Sequence, residues 1–136
     1  MQKDTCILCE NVQKYQYILE SDLPPLATHD EIARINRACD QRATTELGYS
    51  AKRSIATWQI LEVQLRGAIS RHIKAGKRMF HKYRDDGSGK LLPNHVQANV
   101  TLASGPDVYV EVVLMEDAMI IVYAHDHTPG KFRLPQ

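Results

Sequence analysis

HVQANVTLASGPDVYVEVVLMEDAMIIVYAH, residues 95–125, contains three strand patterns and two turns. From His95 to Leu102 the residues alternate: Val96, Ala98, Val100 and Leu102 against His95, Gln97, Asn99 and Thr101. A period of two with apolar residues on one side describes a strand with one buried face. Ser104-Gly105-Pro106-Asp107 has turn chemistry. Val108–Met115 and Met119–His125 are β-branched and apolar on both sides, as in a covered central pair, with Glu116-Asp117 between them. After Thr128-Pro129-Gly130, the stretch Lys131–Leu134 reads as a short edge strand.

Upstream the period changes to that of helices. Leu8, Val12, Tyr15 and Leu19 predict a helix over 5–20, which Pro24-Pro25 cannot continue. Thr28 and Glu31 have capping-box spacing. Ile32, Ile35, Cys39 and Leu47 then line one helical face, and Gly48 is the expected stop. Trp58, Leu61, Leu65, Ile69, Ile73, Phe80 and Tyr83 predict a third helical stretch over 51–84, with Gly67 and Gly76 as points of kink or close contact. Asp85-Asp86-Gly87-Ser88-Gly89-Lys90 reads as a connector. The expected fold is therefore α+β: one domain over 1–136, about three N-terminal helices on a C-terminal antiparallel sheet of three to four strands.

The chain has 136 residues, 43% of them hydrophobic and 24% charged, in keeping with one soluble globular domain. The longest apolar runs are strand-sized, so no membrane partner is expected. The first residues, MQKDTCILCENVQKYQ, lack the apolar core of a secretory signal, so the default compartment is cytoplasmic. Three cysteines, Cys6, Cys9 and Cys39, argue against a disulfide framework. Cys6 and Cys9 form a C-x-x-C without the second half-site zinc needs, and they read as small helix residues.

Net charge is +1, but it is segregated: −3 over 1–51, +8 over 52–84 and −4 over 85–136. Arg71, Lys74, Lys77, Arg78 and Lys82 carry much of the basic block and are the candidate nucleic-acid-binding residues. On one continuous helix, residues 71, 74, 78 and 82 share a face. Such a face neutralises RNA phosphates, or else is solvated beside acidic neighbours. Arg66 and His72 resemble the R-x(4–6)-H motif of HEPN-type ribonucleases, which are all-helical, unlike a chain that ends in strands.

His125 and His127 fall on the same side of the last strand, with Tyr123. Two imidazoles there can serve as acid and base, because imidazole ordinarily titrates near neutrality. With His95 or a cysteine they can also form a metal site, although no metal and no cofactor is assigned. IIVYAHDHTPGKFRLPQ, residues 120–136, is similar to the end of barnase-like microbial ribonucleases. The resemblance implies a hairpin strand that delivers an Asp-His pair, here Asp126 and His127, followed by Phe132 and Arg133, with the His as general acid. It also calls for a carboxylate base on the neighbouring strand, for which Glu111 is the candidate. A two-residue loop at Glu116-Asp117 pairs Glu111 with Val122 and turns it from the histidines; a three-residue loop pairs it with Tyr123 and brings it to their face. Arg133 would stabilise the phosphorane.

Two functions follow as expectations. One is a non-catalytic interaction protein of bacterial or phage type (an inhibitor, immunity protein or adaptor) whose segregated charge meets a protein partner. The other is a small metal-independent endoribonuclease, toxin-like, with His127, His125, Glu111 and Arg133 as catalytic residues. Oligomeric state is open in both.

Overall fold

Strands over Leu91–Thr101, Asp107–Leu114 and Met119–His125 lie antiparallel and adjacent in the computed structural model of the chain. The described residues are 16–17, 19–41, 44–125 and 132–136, with the backbone alone described for Gln16, Tyr17 and Phe132. In chain order the elements are β1 (Gln16–Tyr17), a 3-10 turn at Glu20–Asp22, α1 (His29–Cys39), β2 (Thr45–Leu47), α2 (Tyr49–Thr57), α3 (Glu62–Lys74), β3 (Phe80–Tyr83), β4 (Leu91–Thr101), β5 (Asp107–Leu114), β6 (Met119–His125) and β7 (Phe132–Arg133). The fold is α+β: three helices and a five-stranded sheet in the order β2-β6-β5-β4-β3. Every pairing in this sheet is antiparallel except β2 with β6. β1 and β7 form a separate parallel pair.

Alternation in β4 assigns its faces as the sequence implies. Val96, Ala98 and Val100 are buried in the main core. They join Val108, Val110, Val112 and Leu114 of β5 and Met119, Ile121 and Ala124 of β6 beneath the helices. The helices contribute Ile35, Ala38 and Cys39 from α1, Ala51 and Ile55 from α2, and Leu65, Ala68 and Ile69 from α3. The opposite face carries His95, Gln97, Asn99 and Thr101 of β4 across from Val113, Glu111, Tyr109 and Asp107 of β5.

Helix ends account for the largest departures from expectation. α1 begins at Thr28, whose Oγ1 accepts from Glu31 N at 3.1 Å while Glu31 Oε1 accepts from Thr28 N at 2.8 Å, the expected capping box. It stops at Cys39, short of Gly48, because the Thr44 and Thr45 hydroxyls both donate to the Ala38 carbonyl, at 2.9 and 2.6 Å. The chain then extends as β2, and Gly48 begins the next helix instead of ending the previous one. The predicted helix over 51–84 is two helices and a strand. Gln59 sits at φ 58°, with Ile60 N donating to Ile55 O and Gln59 N to Ala56 O, a Schellman ending without glycine. Gly76 at φ 72° ends α3 in the same way, through Lys77 N to His72 O. The C-terminal part of the helix predicted over 5–20 is the β1 strand and the 3-10 turn; the remainder lies outside the described residues. No helix among the described residues is long and apolar enough to cross a membrane.

The polar face of the sheet divides in two. At the Thr101 end the last residues lie across it: Asn99 Nδ2 donates to Leu134 O at 3.1 Å, and Gln136 Nε2 to Thr101 Oγ1 at 2.8 Å. Phe80 and Leu134 are buried outside the main core, with the Arg78 guanidinium 5.8 Å from the Phe80 ring centre. At the other end stand Lys82, His95, Glu111 and Tyr123.

Candidate active site

Glu111 owes its position to a β-bulge. The hairpin between β5 and β6 closes tightly, with Met115 N donating to Ala118 O at 2.8 Å, and pairs Leu114 with Met119, Val113 with Ile120 and Val112 with Ile121. That is the register of the two-residue loop, which by itself would turn Glu111 away from the final histidines. The register then shifts by one, and Glu111 pairs with Tyr123, Val110 with Ala124 and Tyr109 with His125. Val122 is the extra residue, and it restores to the polar face what the loop would have removed. Gly48 lies against this bulge: a Cβ there would stand 3.3 Å from Val122 Cα.

Around Glu111 the polar groups converge from four strands. Its side chain is only 3% exposed. Lys82 Nζ, from β3, donates to Glu111 Oε1 at 2.7 Å. The Tyr109 hydroxyl lies 3.1 Å from the same oxygen and 3.0 Å from Gln97 Oε1. Gln97 Nε2 in turn donates to His81 O at 2.8 Å, which fixes the amide's orientation. His95 Nε2 faces Glu111 Oε2 at 3.8 Å, and its Nδ1 donates to Pro93 O at 2.9 Å. From β6 come Tyr123, whose ring centre is 5.8 Å from Lys82 Nζ, and His125, whose ring lies 5.0 Å from that of Tyr109. Burial, and then the Glu111 charge, push the Tyr109 phenol well above its ordinary value, so it stays a proton donor. The cluster thus contains a carboxylate, an ammonium, two phenols and two imidazoles on one face.

The other predicted residues fall elsewhere. Arg133 Nη2 is 3.6 Å from Asp107 Oδ2. Asp107 precedes Glu111 by four residues on the same strand, about 13 Å along it, so Arg133 serves the far end of the face. Asp126 and His127 lie outside the described residues, as do Cys6 and Cys9. The five basic residues do not share a helix face, because α3 ends at Lys74. Arg71 and Lys74 belong to its last turn, in the helical layer. Lys77 donates to Gln136 Oε1 at 2.9 Å, and Arg78 bonds Glu20 at 3.1 Å. Lys82 alone reaches Glu111.

Arg66 is bound to Glu62 and donates to Cys39 O, and His72 is buried with Nε2 donating to Arg78 O at 2.7 Å. The pair behind the HEPN resemblance is therefore absorbed in packing. Burial pushes the Cys39 thiol up to about 12, which makes it a core residue in character. Among the described residues no three His, Cys, Asp or Glu side chains are grouped as a metal site.

Tyr109 was not among the predicted site residues, and His95 was named only as a possible metal ligand. The alternation that placed His95 opposite the apolar face was the available signal; only the cross-strand register reveals its neighbour.

Comparison with protein-family models, with curated proteins and with solved structures finds no match to this chain.

Proposed function

We propose that the Glu111 cluster is an acid–base site that cleaves RNA through its own 2′-hydroxyl. The supporting observation is the bulge at Val122, which sets Glu111, Tyr123 and His125 on one face with Lys82 and His95. Glu111 accepts the 2′ proton as that oxygen attacks the neighbouring phosphorus. His125 is its diagonal cross-strand neighbour, about 7–8 Å away, and protonates the departing 5′ oxygen. Lys82 supplies positive charge to the phosphorane. The products are a 2′,3′-cyclic phosphate and a free 5′-hydroxyl. His127 and Arg133 have no part in this version: the first lies outside the described residues, and the second is engaged near Asp107.

The test is incubation of the purified chain with RNA in EDTA, followed by end-group analysis. Cyclic phosphate that disappears with Glu111→Gln and His125→Ala supports the reading. Absence of cleavage, or cleavage indifferent to both substitutions, ends it.

A protein-binding role is the second reading. Tyr49, Leu61 and Val63 are exposed apolar side chains at the first turns of α2 and α3, and such groups favour association. Light scattering before and after Leu61→Ser with Val63→Ser distinguishes self-association from a heterologous partner.

A further inference from the structure

The cluster has a feature at odds with its proposed work. A general base must touch the proton it removes, yet Glu111 is 3% exposed at its side chain, with Lys82 and Tyr109 on one oxygen and His95 facing the other. One of these covers has to leave.

Tyr109 is held by Gln97, and Gln97 by the β3 backbone. His95 is tethered through Nδ1 to Pro93 O. Lys82 is the movable one. It is a flexible four-carbon chain, 24% exposed, at an irregularity in the register between His81 and Tyr83 on the outermost strand. A second perch is at hand in the exposed Tyr123 ring, 5.8 Å from Nζ.

We propose that Lys82 is a substrate-driven gate: a phosphodiester draws its ammonium away from Glu111, and this departure uncovers the carboxylate. The inference rests on the ribonuclease reading and adds regulation to the same site. Charge is conserved throughout. In the free protein the ammonium balances a buried carboxylate, and unpairing the two is unfavourable, so the site stays covered. A bound phosphodiester offers an equivalent negative charge. Once Glu111 has accepted the 2′ proton it is neutral and needs no counter-ion, while the phosphorane carries the extra charge that Lys82 has moved to meet.

The experiment is side-chain NMR of the whole chain, observing the Lys82 ammonium and the Glu111 carboxyl carbon. The probe is a 2′-deoxy analogue of an RNA dinucleotide, which has the phosphodiester and lacks the nucleophile. Both signals are expected to shift together as the probe saturates. Probe binding that moves Tyr123 or His125 resonances while Lys82 and Glu111 stay fixed overturns the gate. RNA cleavage is assayed on the same preparation. Cleavage with an unmoved Lys82 removes the gate and keeps the nuclease. Movement without cleavage keeps Lys82 as a phosphate-driven switch and removes the nuclease. Failure of the probe to bind at all removes both.

Lys82→Arg supplies a second measure. A guanidinium grips a carboxylate in two places and releases it less readily. Cleavage is expected to fall about tenfold although charge and fold are kept; unchanged cleavage in this variant counts against gating, since a residue needed only for charge tolerates arginine.

Discussion

Tyr109 and Glu111 project from the same face of β5, and the phenol lies between two acceptors, 3.1 Å from Glu111 Oε1 and 3.0 Å from Gln97 Oε1. A phenol has one proton, so it serves the carboxylate and the amide alternately. The hydroxyl therefore orients the carboxylate without neutralising it.

Tyr109→Phe is expected to keep the fold and cost about 1 kcal/mol, the usual worth of one hydrogen bond. Urea unfolding measures the loss. If the site cleaves RNA, the variant should lose less activity than Glu111→Gln, which removes the proton acceptor and is expected to lower the rate by at least about 100-fold.

Lys82→Met strips the ion pair from a carboxylate that stays buried. The expected destabilisation is about 3 kcal/mol near neutral pH. Denaturant midpoints of both proteins at neutral pH give the comparison; equal midpoints would contradict a stabilising role for the pair.

His72 predicts a slope in the mildly acidic range. Burial, and secondarily Lys77, hold its imidazole below the ordinary value against the opposing bond to Arg78 O. Above an unfolded value of about 6.5 the ring is neutral in both states and adds no pH dependence. Below it the unfolded chain binds the proton more readily, so stability declines as pH falls toward the folded value. His72→Leu should remove this part of the slope. Urea midpoints at several values between pH 7 and 5 test it.

Glu31 acts lower on the scale. Burial raises its carboxyl, but the Thr28 backbone and side chain and His81 together outweigh it and leave the group below its usual value. His81 Nε2 is 2.7 Å from Glu31 Oε1, so the pair ties β3 to the start of α1. The resulting stability is present above the unfolded value of about 4.3 and is lost as pH falls through the folded one. Glu31→Gln should flatten that acid limb, and Thr28→Ala should cost about 1 kcal/mol at neutral pH. Thermal melts at pH 3–6 follow both.

Deletion of Val122 tests how the sheet register is set. Without the extra residue, Ile121 and Tyr123 become consecutive and retain Val112 and Glu111 as partners in a regular ladder. The Tyr109–His125 ring contact is expected to persist in NOE spectra. Its loss would show that the bulge at Val122 is itself needed to hold Tyr123 and His125 against Glu111 and Tyr109.

Three strands were legible because β4 alternates cleanly and β5 and β6 are rich in Val and Ile; Met119–His125 agrees with the structure at both ends. The helical middle was not. Trp58 through Tyr83 keeps helical spacing across two interruptions, and one of those depends on Gln59 adopting a conformation that its residue type does not advertise. β2 has three residues and pairs with a strand more than seventy positions later, too short for a pattern and too distant for local reasoning. For Glu111 the two candidate registers were foreseeable. The mechanism was not: the short loop forms and a bulge resets the pairing. Lys82 was placed on a helix with other cations, whereas its strand position is what carries it to Glu111.

On β5, Val108, Val110, Val112 and Leu114 hold the helical layer while Tyr109 and Glu111 carry the polar cluster. Stability and chemistry thus occupy alternate letters of one sentence of sequence. Substitutions can accumulate in one set while the other stays fixed, so a lineage of such chains is free to exchange its reactive groups and inherit the same scaffold.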